Sequence, residues 1–488
     1  MTLVLMLVEV KMQLTFKYKL KPHKPQCKIM DQTIELCRRQ YNFRLGQRFD
    51  WYDSTRTSIN ACPLNVSILS IDVIYQNIPE FRVQTRDGRK LDEHGVPITK
   101  KGDVHPNIVE GYVDWLTTQL ADLKQTKQLF PEYKEIHSQV LQDVVNRVES
   151  AFSRFTKPDK NGKTSGRPRF KGKHYYNSIT YTQLTNAHIV KDEKGRICLD
   201  LAKIGLVPMV FHRSIPDGFK VKTGTIIREA DGYYVSLVIE DKRVPQVEAE
   251  ILPTEENTKG IDLGLYHYVF CSDGTEYDVP QFLRKSAIQL AKLQQRLDQH
   301  KSDKTSKSYR ILRNKIAKLH QHIARQRLDW QFKLAYKLLE NCDVIAVEDL
   351  KLKNLIRRNK AKIDQDGKFT ENGQSAKSGL NKSFLDAAFG QFVQVLKFVA
   401  WKLGKRVIEV NPSGTSQHCW NCLNRVSKTL NDRWHDCDNC GESLNRDENS
   451  AKLIKRLAIV GMDVASLKKA ITKASAFVIE EASVLCVA

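Results

Sequence analysis

The sequence predicts a multidomain α/β protein: a mainly helical segment, a small β-rich unit, and an α/β unit that carries a cysteine-stapled insertion. Three observations carry this. The apolar period switches along the chain between two residues and three to four. Turn dipeptides punctuate short β-rich runs between 179 and 240. Cys419-x2-Cys422 and Cys437-x2-Cys440 enclose a fourteen-residue spacer, one short of the usual four-cysteine zinc range. At 488 residues the chain exceeds one compact core, and its 41% hydrophobic content is enough to build several.

Taken in order, Leu14, Phe16, Tyr18 and Leu20 alternate with polar or basic residues, which predicts a half-buried strand from Met12 to Lys21. The opening "MTLVLMLVEVK" lacks a basic n-region and a small-residue cleavage site, so it reads poorly as a signal peptide and is either a dispensable extension or the product of an upstream start codon; a chain starting at Met12 is expected to keep function. Met30, Ile34, Cys37, Tyr41 and Leu45, then Leu141, Val144, Val148, Phe152 and Phe155, recur at helical steps and make 31–155 mainly helical. Between them "TRDGRKLDEHGVPITKKGDVHPN" reads as a loop. "KPDKNGKTSGRPRFKGK", followed by Tyr175 and Tyr176, reads as a phosphate-contacting loop with aromatic neighbours able to stack on bases. From Ile179 to Glu240, β-rich runs with Asp217-Gly218 and Asp231-Gly232 turns predict hairpins of a small antiparallel barrel or sandwich, completed by the Met12 strand.

Carboxylates then appear at strand ends. In "KGIDLGLYHYVF", Asp262 faces away from Ile261, Leu263 and Leu265, and Gly264 leaves room for a ligand or backbone. A basic helical hairpin spans roughly Phe282 to Glu340. After it "VIAVED" reads as a buried strand ending in Glu348 and Asp349, of which only one can share a face with Asp262. "NRDENSAKLIKRLA" starts a helix with Asp447 and Glu448 in its first turn, where acids are also favoured by the helix dipole alone. Strand-Asp, strand-Glu and helix-Asp together describe a nuclease of the RNase H class. Such chemistry uses carboxylates to hold two Mg2+ ions against a phosphodiester.

Seventy-eight Lys plus Arg against fifty-six Asp plus Glu give +22, which points to a polyanionic partner, nucleic acid first. Only four of the eleven cysteines cluster, a pattern suited to a reducing cytosol with one metal site. No stretch has the length of a membrane span. The absence of a Gly-x4-Gly-Lys-Ser/Thr loop argues against an ATP-driven helicase step.

"GIDLGL", "VIAVEDL", "NPSGTSQHCWNC" and "LNRDENSA" resemble the split RuvC motifs and zinc ribbon of the TnpB (OrfB) proteins of bacterial insertion sequences, relatives of the type V CRISPR nucleases. "FKYKLKPHKPQ", "CRRQYNFRLGQR", "VLQDVVNRVESAFSRF" and "GRPRFKGK" resemble that family's amino-terminal half, so the resemblance covers nearly the whole chain. It implies an RNase H-like RuvC nuclease domain with an inserted zinc ribbon, a β-barrel wedge domain and a helical recognition lobe. The expected boundaries are 1–30 for the first wedge strand or strands, 31–155 for the lobe, 156–256 for the wedge barrel, 257–410 for RuvC with its hairpin and lid, 411–445 for the ribbon, 446–460 for the last RuvC helix and 461–488 for a tail.

The activity implied is RNA-guided cleavage of double-stranded target DNA in the cytoplasm of a prokaryote, with a noncoding guide RNA, two Mg2+ ions and one structural Zn2+. The resemblance selects Asp262, Glu348 and Asp447 as catalytic acids and Cys419, Cys422, Cys437 and Cys440 as zinc ligands. Lys157, Arg167, Arg169, Lys171, Lys173, Tyr175, Arg357 and Arg358 are expected to contact nucleic acid, and Arg425, Lys428 and Arg433 to give the ribbon a basic surface. His418 and His435 flank the cysteines as weaker ligand candidates. The chain departs from its relatives around 83–106, in "KIDQDGKFTENGQSAKSGLNKS" and in the tail; by analogy 351–383 is a mobile lid. The competing readings are an RNA-guided binder that does not cut, a DNA-joining transposase and a miniature CRISPR effector.

Overall fold

The computed structural model describes residues 11–54, 115–159, 161–245, 251–429 and 432–471. The chain divides into two units, 1–246 and 247–488. The predicted loop around 83–106 and the opening residues 1–10 lie outside the described residues.

In the first unit, strand β1 (Lys11–Leu20) buries Phe16, Tyr18 and Leu20, as their alternation predicts. Helix α1 (Lys24–Ser54) follows after three residues, so 24–30 is helical where the sequence reading placed strand. Pro25 fits a first helical turn because its φ is already set, and the Gln26 side chain accepts from the His23 backbone N–H at 3.2 Å. Helices α2 (Trp115–Ala121), α3 (Leu123–Leu129) and α4 (Ser138–Thr156) continue the helical part. Buried Arg44 donates to Asp122 Oδ2 (3.1 Å) and Thr126 Oγ1 (2.9 Å), and Arg48 to Glu149 Oε2 (2.5 Å), which ties α1 to its neighbours.

The remaining strands are β2 (Ser178–Tyr181), β3 (Ile189–Lys191), β4 (Ile197–Leu201), β5 (Gly205–Val210), β6 (Lys220–Glu229) and β7 (Gly232–Pro245). They join β1 in one sheet of order β2-β6-β7-β1-β5-β4-β3, with β1 antiparallel to both β7 and β5. The Met12 strand thus completes the β-rich part as predicted, although the ladder is open, with β2 and β3 at its ends. Asp231-Gly232 closes the β6–β7 hairpin, with Glu229 opposite Gly232. Asp217-Gly218 makes no hairpin: Phe219 N–H donates to the Pro216 carbonyl in a local turn, and β5 and β6 are not neighbours. Sheet and helices share one apolar core, running from Phe16 through Leu141 to Ile239.

The second unit is built on a mixed sheet of order β10-β9-β8-β11-β14: β8 (Thr258–Asp262), β9 (His267–Cys271), β10 (Glu276–Asp278), β11 (Val344–Glu348) and β14 (Arg406–Val410). Strands β8, β11 and β14 are parallel, and β9 and β10 return antiparallel. Helices α5 (Phe282–Lys285), α6 (Ala287–Gln299) and α7 (Lys307–Leu338) form the predicted hairpin. Beyond β11 come α8 (Leu352–Leu355), the short pair β12 (Lys362–Ile363) and β13 (Phe369–Thr370), α9 (Gln374–Ala387) and α10 (Phe389–Lys402). The insertion contributes β15 (Trp434–Asp436) and β16 (Ser443–Asn445), and α11 (Arg446–Val460) ends in a left-handed Gly461.

Strand β11 is buried on both faces, as a parallel central strand should be. Ile345 and Val347 enter the cluster containing Leu334, Phe392 and Leu396; Ala346 enters the one containing Leu453, Ile454 and Leu457. Val464 and Leu467 join that second cluster, so the segment predicted as a tail begins inside the core.

One contact fixes the seat of α11. A Cβ on Gly260 would lie 2.1 Å from the Ala451 carbonyl oxygen and 2.7 Å from the Lys455 backbone nitrogen. Gly260→Ala is therefore expected to overpack this crossing, at a cost of about 1–3 kcal/mol. Thermal unfolding should show a midpoint lower by several degrees; an unchanged midpoint would mean that the helix does not rest there.

Candidate functional site

The site follows from strand register. Strands β8 and β11 pair with a constant offset, Val344 with Thr258 through Val347 with Ile261. The next step sets Glu348 beside Asp262 at the carboxyl ends of two parallel strands, where neighbouring strands stand about 4.8 Å apart. Parity fixes the face. Ile261 and Val347 point into one apolar cluster, whereas Gly260 touches α11, so Asp262 and Glu348 both lie on the α11 side. Asp349 is exposed, and its N–H donates to the Val410 carbonyl (2.9 Å).

Helix α11 supplies the third carboxylate. Ala451 and Lys455 meet Gly260, and Asp447, one turn earlier on the same helix face, overlies the strand ends. The Asn445 side chain caps the helix by accepting from Asp447 N–H at 2.8 Å. Glu448 is engaged elsewhere, in an ion pair with Lys452 at 2.8 Å. Burial pushes the Asp262 carboxyl well above its usual range, and the charges of Glu348 and Asp447 push it the same way, with Arg446 opposing. Burial also raises Glu348, opposed by the Thr415 hydroxyl, which donates to Glu348 Oε1 at 2.5 Å. Arg446 donates to Asp447 Oδ1 at 3.2 Å. Acids that crowd Asp262 in a half-buried site are the oxygen donors that hard divalent cations take, although among the described residues only the four cysteines gather within 4.8 Å of one another.

The four cysteines converge, with all four Sγ atoms within 4.8 Å of one another, Cys419 3.6 Å from Cys440 and Cys422 3.5 Å from Cys437. A tetrahedral zinc with bonds of about 2.3 Å would set sulfurs about 3.8 Å apart, so the cluster fits that ion. Burial raises the Cys419 thiol to about 12. At Cys422 burial also raises it but is outweighed by the Asn424 backbone N–H and neighbouring donors, which bring it to about 6. His418 instead turns Nδ1 to the Gly414 carbonyl (2.9 Å), and His435 is paired with Lys428.

The cysteine loop is tied to α11 by Asn449, a buried residue two positions after Asp447. Asn449 Oδ1 accepts from Trp420 N–H (2.9 Å), and Nδ2 donates to the His418 carbonyl (2.8 Å). Arg456 Nη1 donates to the Trp420 carbonyl (2.7 Å). Thr415, Arg446, Asn449 and Gly260 were all missed as site residues by sequence reasoning; each lies in a quoted motif, but nothing in its type marks it out.

Of the predicted nucleic-acid contacts, Lys157, Arg169, Lys173, Arg357 and Arg358 are exposed, and Tyr175 is 82% exposed. Arg167 pairs with Asp53 (2.7 Å) and stacks on Phe49, with 4.1 Å from its guanidinium carbon to the ring centroid. Lys171 lies over Tyr41. Tyr176 is buried in the core and cannot stack on a base. In the insertion, Arg425 bonds Gln417, Lys428 turns inward to His435, and Arg433 stacks on Tyr266 at 4.9 Å, so this surface is less open than expected. The segment 351–383 folds into α8, the β12–β13 pair and α9, with Asn381 Nδ2 donating to the Ile356 carbonyl (2.9 Å).

Family models match three stretches: OrfB_IS605, described as "Probable transposase", over 239–359; the Cas12f1-like TNB domain over 389–454; and a helix-turn-helix domain of OrfB_IS605 over 12–57. Over these stretches the chain is similar to the TnpB (OrfB) proteins of insertion sequences. Within the last match, the described residues form a strand and one long helix and not two helices about a turn. Escherichia coli (strain K12) InsQ, described as an RNA-guided DNA endonuclease, is 28% identical over 322 residues, 66% of this chain and 74% of its own. A Streptomyces pristinaespiralis protein described in the same words is 28% identical over 342 residues, 69% of this chain and 75% of its own. Among solved structures, a Cas12f1–sgRNA–target DNA complex matches with TM-score 0.29 and 15% identity over 91% of this chain and 99% of that one. A Cas_phi3 structure matches with TM-score 0.35 and 16% identity over 62% and 65%. Among the described residues no helix is long and apolar enough to cross a membrane.

Proposed function

We propose that this chain is an insertion-sequence-encoded RNA-guided DNA endonuclease that cuts double-stranded DNA at an RNase H-like, RuvC-type site formed by Asp262, Glu348 and Asp447. The observation that carries this reading is the shared register and face of Asp262 and Glu348, with Asp447 over them on a helix seated by Gly260. The relatives described as RNA-guided DNA endonucleases support it.

The three carboxylates would hold the divalent ions, and through them the scissile phosphate would be oriented. Bound there, two Mg2+ ions would supply charge stabilisation for an in-line displacement at phosphorus. Thr415 fixes the Glu348 carboxylate, and Arg446 does the same for Asp447. The cysteine cluster would hold one Zn2+ in a closed, structural site, and Asn449 links its loop to α11. With the +22 charge, Lys157, Arg169, Lys173, Tyr175, Arg357 and Arg358 serve guide RNA and target DNA backbones. Sequence reading belongs to guide pairing, and shape and an adjacent motif to the protein.

The test is to express the gene with its flanking DNA, sequence the RNA that co-purifies, and reprogramme its variable end against a plasmid in Mg2+. One discrete noncoding RNA and cleavage that follows the new guide are expected. Recovery of random cellular RNA, with no guided cleavage, would replace this reading with a general RNA-binding protein or nuclease.

A further inference from the structure

The loop that leaves the Glu348 strand carries an apolar pair held out in solvent. Strands β12 and β13 set Ile363 directly opposite Phe369, and these side chains are 59% and 79% exposed. Their presentation is built, not accidental. Asp364 Oδ1 accepts from the Asp366 and Lys368 backbone N–H groups (3.0 and 2.7 Å), and Gly367 takes the left-handed φ of 77° that the turn needs. At the base, Asn359 Nδ2 donates to the Asn372 carbonyl (2.8 Å) and Asn372 Nδ2 to the Lys360 carbonyl (3.1 Å). Along the same loop lie Arg357, Arg358, Lys360, Lys362 and Lys368, all exposed, none in an ion pair with a carboxylate among the described residues; strand alternation sets Lys362 and Lys368 on the opposite face of the hairpin, beside the pair in sequence.

A solvent-exposed aromatic ring costs free energy unless something covers it, and the surrounding cations select what that is. We propose that the 362–370 hairpin is a base-stacking finger: Phe369, backed by Ile363, covers an unpaired nucleobase of a single strand, while the flanking cations contact its phosphates. The inference rests on the nuclease reading for its biological setting, but the stacking itself can be measured without cleavage.

The test uses the full-length protein and short single-stranded DNA and RNA oligonucleotides carrying 2-aminopurine. Wild type should quench the probe. Phe369→Ala should abolish the quenching and weaken binding about 5- to 150-fold, the range of base–aromatic stacking. Phe369→Trp should restore both. The slope of log affinity against log salt should be unchanged by Phe369→Ala and reduced by about one by Lys362→Gln. A preference for DNA or RNA probes identifies which strand the finger serves. Equal binding and quenching by Phe369→Ala would overturn the proposal. So would a change in sedimentation without a change in oligonucleotide binding, which would make the pair a contact between copies of this chain. Guided cleavage with an inert Phe369 removes the finger alone; stacking without any guided cleavage removes the nuclease reading alone.

Discussion

Asp262→Asn is expected to reduce guided DNA cleavage by roughly 10^4-fold, the scale on which single members of a catalytic set count. The same change should stabilise the protein in chelator. Burial and the charges of Glu348 and Asp447 raise the Asp262 carboxyl in the folded state. Near pH 3 both folded and unfolded chains hold this proton. As pH rises past the ordinary aspartate value the unfolded chain releases it while the folded chain retains it, so stability falls until the folded group also ionises. Burial raises Glu348 as well, and its effect has the same sign. Wild type without divalent ions should thus lose stability as pH rises above about 4 more steeply than Asp262→Asn does, and Mg2+ should narrow the gap. Thermal unfolding across pH, with chelator and with Mg2+, reads this directly. A variant less stable than wild type in chelator would mean that the three acids do not repel one another.

Cys437→Ser is expected to carry the largest structural effect. Zinc content should fall from about one ion per chain to near zero, because three thiolates at this spacing leave a closed site open. Loss of the cluster frees the Trp420 loop that Asn449 and Arg456 hold, so cleavage should fall by at least about 100-fold as Asp447 loses its support. Asn449→Ala separates the two roles. It breaks the link but touches no thiol, so zinc should stay near one per chain while cleavage falls. Full cleavage by a zinc-free Cys437→Ser would end the positioning role; full cleavage by Asn449→Ala would move that role to other contacts.

What the sequence made legible were features with a period or a charge. "VIAVED" was readable as a buried strand because both faces are apolar, but choosing between Glu348 and Asp349 needed the register against β8. The Cys-x2-Cys pairs were readable because metal ligands demand spacing. Gly264 was read as room for a ligand or backbone, and it is backbone that takes it, the His267 carbonyl lying 2.9 Å from where a Cβ would be; Gly260, two residues before Asp262, is the glycine that seats α11. Tyr175 and Tyr176 look alike in sequence, and only packing sends one outward and one into the core. Thr415 and Asn449 act through contacts 67 and 31 residues away, which no local pattern encodes.

The place of β1 has a consequence for how the chain is made. This strand lies between β7 and β5, so the earliest described segment is a central member of its sheet, and its longer partner ends at Pro245. At a synthesis rate of about 5–20 residues per second, β1 waits on the order of ten to forty seconds at the ribosome before β7 is translated. During that interval Phe16, Tyr18 and Leu20 have only the nascent helices and, once it is made, β5 to shield them. Expression yield should therefore depend on cotranslational chaperones more than on the final stability of the sheet.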